Sequence, residues 1–124
     1  MKKILIIEDE ILIQASIKKF LEKKGATVST TISGNESIQM IKDENFDRIV
    51  CDLMLNDITG FDVIEECKKI IGIEQIRKKF VIMTAYSSPQ VIDRAKEYGC
   101  TLLNKPFSNI NEAINIILGE NNEK

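Results

Sequence analysis

The sequence predicts an α/β fold of the (βα)5 kind, a five-stranded parallel sheet with helices on both faces. Three observations predict it. Short apolar runs alternate with longer stretches of helical periodicity along all 124 residues, the pattern of βα units around a parallel sheet. Several of those runs are apolar at nearly every position, as strands covered on both faces are. Four of them end on polar residues of different kinds: Glu8-Asp9-Glu10, Asp52, Thr84 and Lys105-Pro106. Right-handed crossovers bring every strand's carboxyl end to one edge of the sheet. Ligands of such sheets bind beyond that edge, where the strand order reverses.

The elements follow in order. Lys3 to Ile7 is the first strand. Ile11 to Lys24 carries Ile13, Ile17, Phe20 and Leu21 on one helical face, with Gly25 as its stop. Thr27 to Thr31 is β-branched and reads as the second strand. Ser33-Gly34-Asn35-Glu36 opens a helix holding Ile38, Met40 and Ile41, and Arg48 to Asp52 is the third strand. Asn56 to Gly60 is a turn-rich loop; Phe61, Ile64, Cys67, Lys68 and Ile71 trace the helix after it. Phe80 to Thr84 is the fourth strand. Ser88-Pro89 starts a helix that ends near Tyr98 with Gly99 as its stop. Thr101 to Asn104 is the fifth strand, and Ser108 caps a last helix through Ile110, Ala113, Ile114, Ile117 and Leu118. Gly119 and a polar tail follow. No linker, repeat or low-complexity segment divides residues 1–124, so a single domain is expected.

Bulk properties narrow the function. At 44% hydrophobic residues the chain can bury a core, and its net charge of −2 comes from interleaved charges. No basic patch points to nucleic acid. No apolar stretch approaches the ~20 residues of a membrane span, and the N-terminal apolar run is too short for a signal peptide. The expected location is the cytoplasm. Cys51, Cys67 and Cys100 are widely spaced and there is no His, which argues against zinc. They read as small packing residues.

The strand-end residues carry the chemistry. Asp9 and Asp52 stand at the ends of neighbouring central strands, with Glu8 as a third carboxylate; Glu10 reads as a solvated loop charge. Such a cluster repels itself and raises a pKa unless a cation intervenes. Mg²⁺ suits it, taking one or two carboxylates, waters and phosphate oxygens. Asp52 is then the nucleophile that forms an acyl phosphate. That transfer needs charge neutralisation more than acid–base chemistry. Lys105 supplies a cation and Thr84 a hydroxyl donor for the phosphoryl oxygens. Pro106 allows a cis peptide that would turn Lys105 inward.

Glu8-Asp9, Asp52, Thr84 and Lys105-Pro106-Phe107, with Gly60 eight residues after Asp52, resemble the receiver domain of response regulators. The resemblance covers essentially the whole chain. It implies a flavodoxin-like, CheY-like sheet in the order 2-1-3-4-5. It implies that Asp52 accepts phosphate from a phosphohistidine on a sensor histidine kinase or a histidine phosphotransfer protein. Glu8, Asp9, Asp52 and the backbone carbonyl of Met54 would hold Mg²⁺, with Mn²⁺ as a substitute. Lys105 would contact the phosphoryl group, and Thr84 would be the switch hydroxyl. The chain would be a two-component or phosphorelay signalling domain. Its only enzyme-like acts would be its own phosphorylation and dephosphorylation. A downstream protein, unidentified, would read the change, and no output domain lies within these residues.

Departures from the family pattern carry their own expectations. Glu8 stands where Asp is common and reaches a methylene further. Asn56 stands where Pro is frequent, which is expected to loosen the loop after Asp52. Leu102 stands where an aromatic usually partners the switch Thr. Switching is then weaker, or runs through the loop after the fourth strand, which holds Tyr86. Met54 and Tyr86 occupy positions that tune hydrolysis of the acyl phosphate. Neither is an acid or base near neutral pH, so slow self-dephosphorylation is expected. Ile11, apolar beside the site, is a candidate docking residue for the phosphodonor. Among competing readings, an Asp-nucleophile phosphatase would want an Asp where Met54 stands. A flavin or nucleotide carrier would not place Glu8-Asp9-Glu10 against a phosphate. A degenerate receiver that binds partners without phosphorylation is the alternative.

Overall fold

The structure is a computed structural model that describes residues 2–119; the polar tail lies outside the described residues. β1 (Lys3–Ile7), β2 (Thr27–Thr31), β3 (Arg48–Asp52), β4 (Phe80–Thr84) and β5 (Thr101–Asn104) form one sheet. Its order is β2-β1-β3-β4-β5, and every pair is parallel. This is the order the resemblance implied. The central strands β1, β3 and β4 are buried almost throughout, whereas the edge strands β2 and β5 carry Thr, Ser and Asn and are partly exposed.

Side chains alternate between the faces of each strand, so the apolar strands feed two cores. One joins Leu5, Ile7, Ile49, Cys51 and Ile82 to Phe61, Ile64 and Ile76. The other joins Ile4, Ile6, Val50 and Met83 to Ile17, Leu21, Ile114 and Ile117. The helices α1 (Ile11–Lys23) and α6 (Ile110–Leu118) therefore cover one face. On the other lie α2 (Gly34–Asp43), α3 (Gly60–Ile71), α4 (Ile73–Lys79) and α5 (Pro89–Tyr98). All three cysteines are free thiols packed in or against the core beneath α2 to α5.

The helix starts follow their capping residues. Ser33 and Ser88 accept from the third residue beyond them. Thr59 and Asp62 form a reciprocal capping box at the start of α3. Three details differ from the sequence reading. The first helix ends at Lys23, with Lys24 as its cap. The last helix is capped by Asn109, whose side chain accepts from Glu112 N–H, and not by Ser108. A sixth helix, α4, lies where no helix was expected. Gly72, at φ +85°, ends α3, and the chain then turns again to bury Ile76.

Candidate functional site

Backbone ladders extend one residue past the strand ends and hold the site residues there. Glu8 N–H donates to Thr31 O at 3.0 Å, Leu53 N–H to Met83 O at 2.8 Å, and Lys105 N–H to Thr84 O at 2.8 Å. The side chains between these anchors project over the carboxyl edge of the sheet. Asp52, Glu8 and Thr84 are buried despite their polarity.

Lys105 is the centre of the cluster. Its Nζ lies 3.1 Å from Asp52 Oδ1, 3.1 Å from Glu8 Oε1 and 3.5 Å from Glu10 Oε1. The Lys105–Pro106 peptide is cis. Glu8 Oε2 also accepts from Glu10 N–H at 3.1 Å. Glu10 itself is exposed, but its carboxylate reaches Lys105 and adds to the charge of the site. Glu8, Asp9 and Asp52 each offer one oxygen within 4.8 Å of the others. One ammonium thus meets three carboxylates, Asp9 adds a fourth to the cluster, and the excess negative charge asks for a further cation. Hard oxygen donors in this number suit Mg²⁺, so the residues present fit the ion that the sequence implied.

Burial pushes the Asp52 carboxyl above its ordinary range; the Lys105 ammonium opposes this without cancelling it, and Asp9 adds repulsion. Burial also raises Glu8, against the hydrogen bond from Glu10 N–H. Burial alone would lower Lys105, but hydrogen bonds to Asp52 and Glu8 outweigh it and raise its pKa. The ammonium is therefore held charged between two carboxylates that are reluctant to be charged.

A cleft of about 310 Å³ opens over Asp52, between Asp9, Met54 and Asn56 on one side and Ala85, Tyr86 and Lys105 on the other. Met54 and Tyr86 are exposed at its two lips. Thr84 is not turned to the carboxylates. Its Oγ1 accepts from Tyr86 N–H at 2.9 Å and donates to Tyr86 O at 3.2 Å. Leu102 lies outside the cluster, packed against the core between the sheet and α5.

This chain belongs to the response regulator receiver domain family. The family's model matches residues 4–117. The receiver domain is 30% identical over 118 residues to a probable transcriptional regulator, ycf29, of Pyropia yezoensis, covering 93% of this chain and 51% of that one. It is 30% identical over 113 residues to the response regulator SaeR of Staphylococcus aureus, covering 87% and 46%. The chain thus spans about half the length of these curated relatives. A CheY-like receiver domain protein from Methanospirillum hungatei superposes with a TM-score of 0.85 at 26% identity, covering 97% of this chain and 93% of that one. The receiver is accordingly a two-component signalling domain with the CheY-like, flavodoxin-like sheet. Among its described residues no helix is long and apolar enough to cross a membrane.

Two features of the receiver site escaped the sequence. Asn56 was expected to loosen its loop, but its N–H donates to Asp9 Oδ2 at 2.9 Å and ties the loop to the acidic cluster. Asp57 accepts hydrogen bonds from the start of α2, across more than twenty residues of chain. The only sequence signal was an acidic residue inside a turn, and that does not name a distant partner.

Proposed function

We propose that Asp52 accepts a phosphoryl group from a phosphohistidine of a sensor histidine kinase or histidine phosphotransfer protein, in a Mg²⁺-dependent reaction. The observation that carries this reading is Asp52 Oδ1 at 3.1 Å from Lys105 Nζ, beside the carboxylates of Glu8 and Asp9. Residues 1–124 act as one receiver unit in it. They contain no His, so the donor imidazole lies outside these residues. An Asp52 oxygen attacks phosphorus, the P–N bond breaks, and the imidazole nitrogen keeps its electron pair.

Glu8, Asp9, Asp52 and the Met54 carbonyl would hold the ion, and Mn²⁺ would substitute for it. Bound Mg²⁺ supplies positive charge against the phosphoryl oxygens. Lys105 keeps one Asp52 oxygen oriented and then turns its ammonium to a phosphoryl oxygen. Thr84 gives up the Tyr86 backbone and donates to another. That exchange frees residues 85–88, and the altered loop and its neighbour α5 present the signal to a downstream protein. Leu102 has no ring polar group to follow the hydroxyl, so the loop itself carries the change. Met54 and Tyr86 offer no acid or base to an attacking water, which supports a slowly hydrolysed acyl phosphate. Ile11 and Leu12 are exposed at the start of α1 beside the site, and form a docking surface for the donor.

The reading is tested by intact-protein mass after incubation with acetyl phosphate and Mg²⁺. Wild type is expected to gain one phosphoryl group; Asp52→Asn and chelated wild type are expected to gain none. No gain in wild type that binds Mg²⁺ would leave the phosphorylation-independent binding module as the better reading.

A further inference from the structure

The loop between β3 and α3, residues 53–59, carries the Met54 carbonyl and runs beside Asp9. Its start and end are fixed by the ladder bond of Leu53 and by the capping box at Thr59. Its middle is fixed by two contacts that reach out of the loop. The first is Asn56 N–H on Asp9 Oδ2, a bond that proline has no N–H to make.

The second contact is the Asp57 carboxylate. Its Oδ2 accepts from Ser33 Oγ at 2.8 Å and from Asn35 N–H at 3.0 Å. Its Oδ1 accepts from Gly34 N–H at 3.0 Å and from Ile58 N–H at 2.9 Å. The Gly34 and Asn35 amides belong to the first turn of α2, whose N–H groups have no partner inside the helix. A negative charge is also favoured there by the helix dipole. Burial would raise the Asp57 carboxyl, but the Asn35, Gly34, Ser33 and Ile58 donors outweigh it and hold it well below the usual range.

Packing reinforces the join. A Cβ on Gly34 would stand 2.6 Å from Ile58 Cγ1 and 3.1 Å from Leu55 Cδ1. The loop and the helix start are therefore in direct contact on either side of the carboxylate. Ser33 caps Glu36 N–H, and Asp57 serves the Gly34 and Asn35 amides that Ser33 does not reach. Because the carboxylate belongs to the loop and also accepts from Ile58 N–H, the same bonds connect α2 to the loop.

We propose that Asp57 is a positioning residue of the metal site: its carboxylate clamps residues 53–59 to the N-terminus of α2 and so fixes where the Met54 carbonyl stands beside Asp9. The clamp takes over the stiffening that a proline at position 56 would give. It rests on the metal reading above and adds to it a residue that touches no ligand. Supporting groups of this kind typically change metal affinity by about 10–100-fold when removed.

The test is calorimetric titration with MgCl2 of wild type, Asp52→Asn, Asp57→Ala and Asp57→Asn, each shown to be folded by circular dichroism at the titration temperature. Asp57→Ala is expected to bind about tenfold more weakly at unchanged stoichiometry. Asp57→Asn, which keeps acceptor oxygen but loses the charge, is expected to fall between it and wild type. A residue that only stabilised α2 would lower the melting temperature and leave the affinity of the folded protein alone. Wild-type affinity in both Asp57 variants therefore overturns the proposal. Should Asp57→Ala fail to fold, Asp57→Asn decides it in the same way. Absence of binding in wild type overturns the metal reading and the clamp with it, an outcome distinct from binding in wild type and variants alike.

Discussion

Two loops flank Asp52, and they are held in opposite ways. Residues 53–59 are fastened from outside: to Asp9 through Asn56, to α2 through Asp57, and to α3 through the Thr59 cap. Residues 85–88 are fastened mainly by the group they would have to release. The Thr84 hydroxyl holds Tyr86 N–H and O, and among the described residues the further ties are Ser87 on Asn104 and the Ser88 cap. A loop whose bonds are independent of the phosphoryl group serves as scaffold. A loop whose bonds compete with that group serves as reporter. The difference lies in which polar groups each loop leaves free, since both stand at the same sheet edge.

The strongest way to break the contrast is to push the first loop off its seat. Gly60 opens α3, and a Cβ there would meet Asp52 O at 2.9 Å and Leu53 Cα at 3.1 Å. Both are backbone atoms and cannot rotate aside. Gly60→Ala is expected to cost about 1–3 kcal/mol by overpacking. It should also slow phosphoryl uptake, because the displaced atoms carry Asp52. Urea unfolding and the rate of mass gain with acetyl phosphate measure the two effects. A variant with wild-type stability and rate would mean that the α3 start is not seated against the acceptor strand.

How much of this was legible beforehand depends on how local each signal is. β1, β3 and β4 and the polar residues that end them could be read directly, because a buried parallel strand is written as a continuous apolar run. The sheet order then brings Glu8, Asp9, Asp52 and Lys105 together without further information. α4 was not legible: its seven residues hold only Ile73 and Ile76 as apolar positions, beyond a Gly that reads as a stop. Ser108 and Asn109 are both good N-caps one residue apart, and composition does not choose between them. At Asn56 the loss of a proline ring could be seen, but not the gain of an N–H facing Asp9. The turn of Thr84 toward Tyr86 is a rotamer choice at a strand end, and no neighbour in sequence dictates it.

The second loop is tested more gently. Thr84→Val keeps the β-branched shape and removes the hydroxyl, so Tyr86 N–H and O both lose their partner. The expected cost is about 1 kcal/mol, since the freed groups of an exposed residue turn to water. Amide exchange at Tyr86 should quicken while that at Asn35 and Asn56 stays unchanged. Phosphoryl uptake should persist at a reduced rate, because Asp52 and Lys105 are intact. Equal quickening in both loops would show that they are one mechanical unit and dissolve the contrast.

The smallest effect separates the loops by pH. In metal-free protein Asp52 and Glu8 have raised pKa values because they are buried. A carboxyl raised on folding adds stability that is full below its unfolded pKa of about 4 and is lost as pH rises through the folded value. Asp57 is lowered, so its contribution is present above about pH 4 and is lost as pH falls through its folded value. The scaffold loop's anchor thus weakens on the acid side, and the acceptor cluster strains on the neutral side. With chelator present, stability by urea unfolding should decline as pH rises above about 4, through the raised carboxyls. Asp52→Asn should flatten that decline, as should added Mg²⁺ in wild type. Asp57→Asn should leave it in place and remove the loss below about pH 4 instead. Should Asp52→Asn keep the neutral-side slope, its carboxylate is no more costly to charge in the folded receiver than in the unfolded chain. The electrostatic case for a cation beside it would then rest on Glu8 and Asp9 alone.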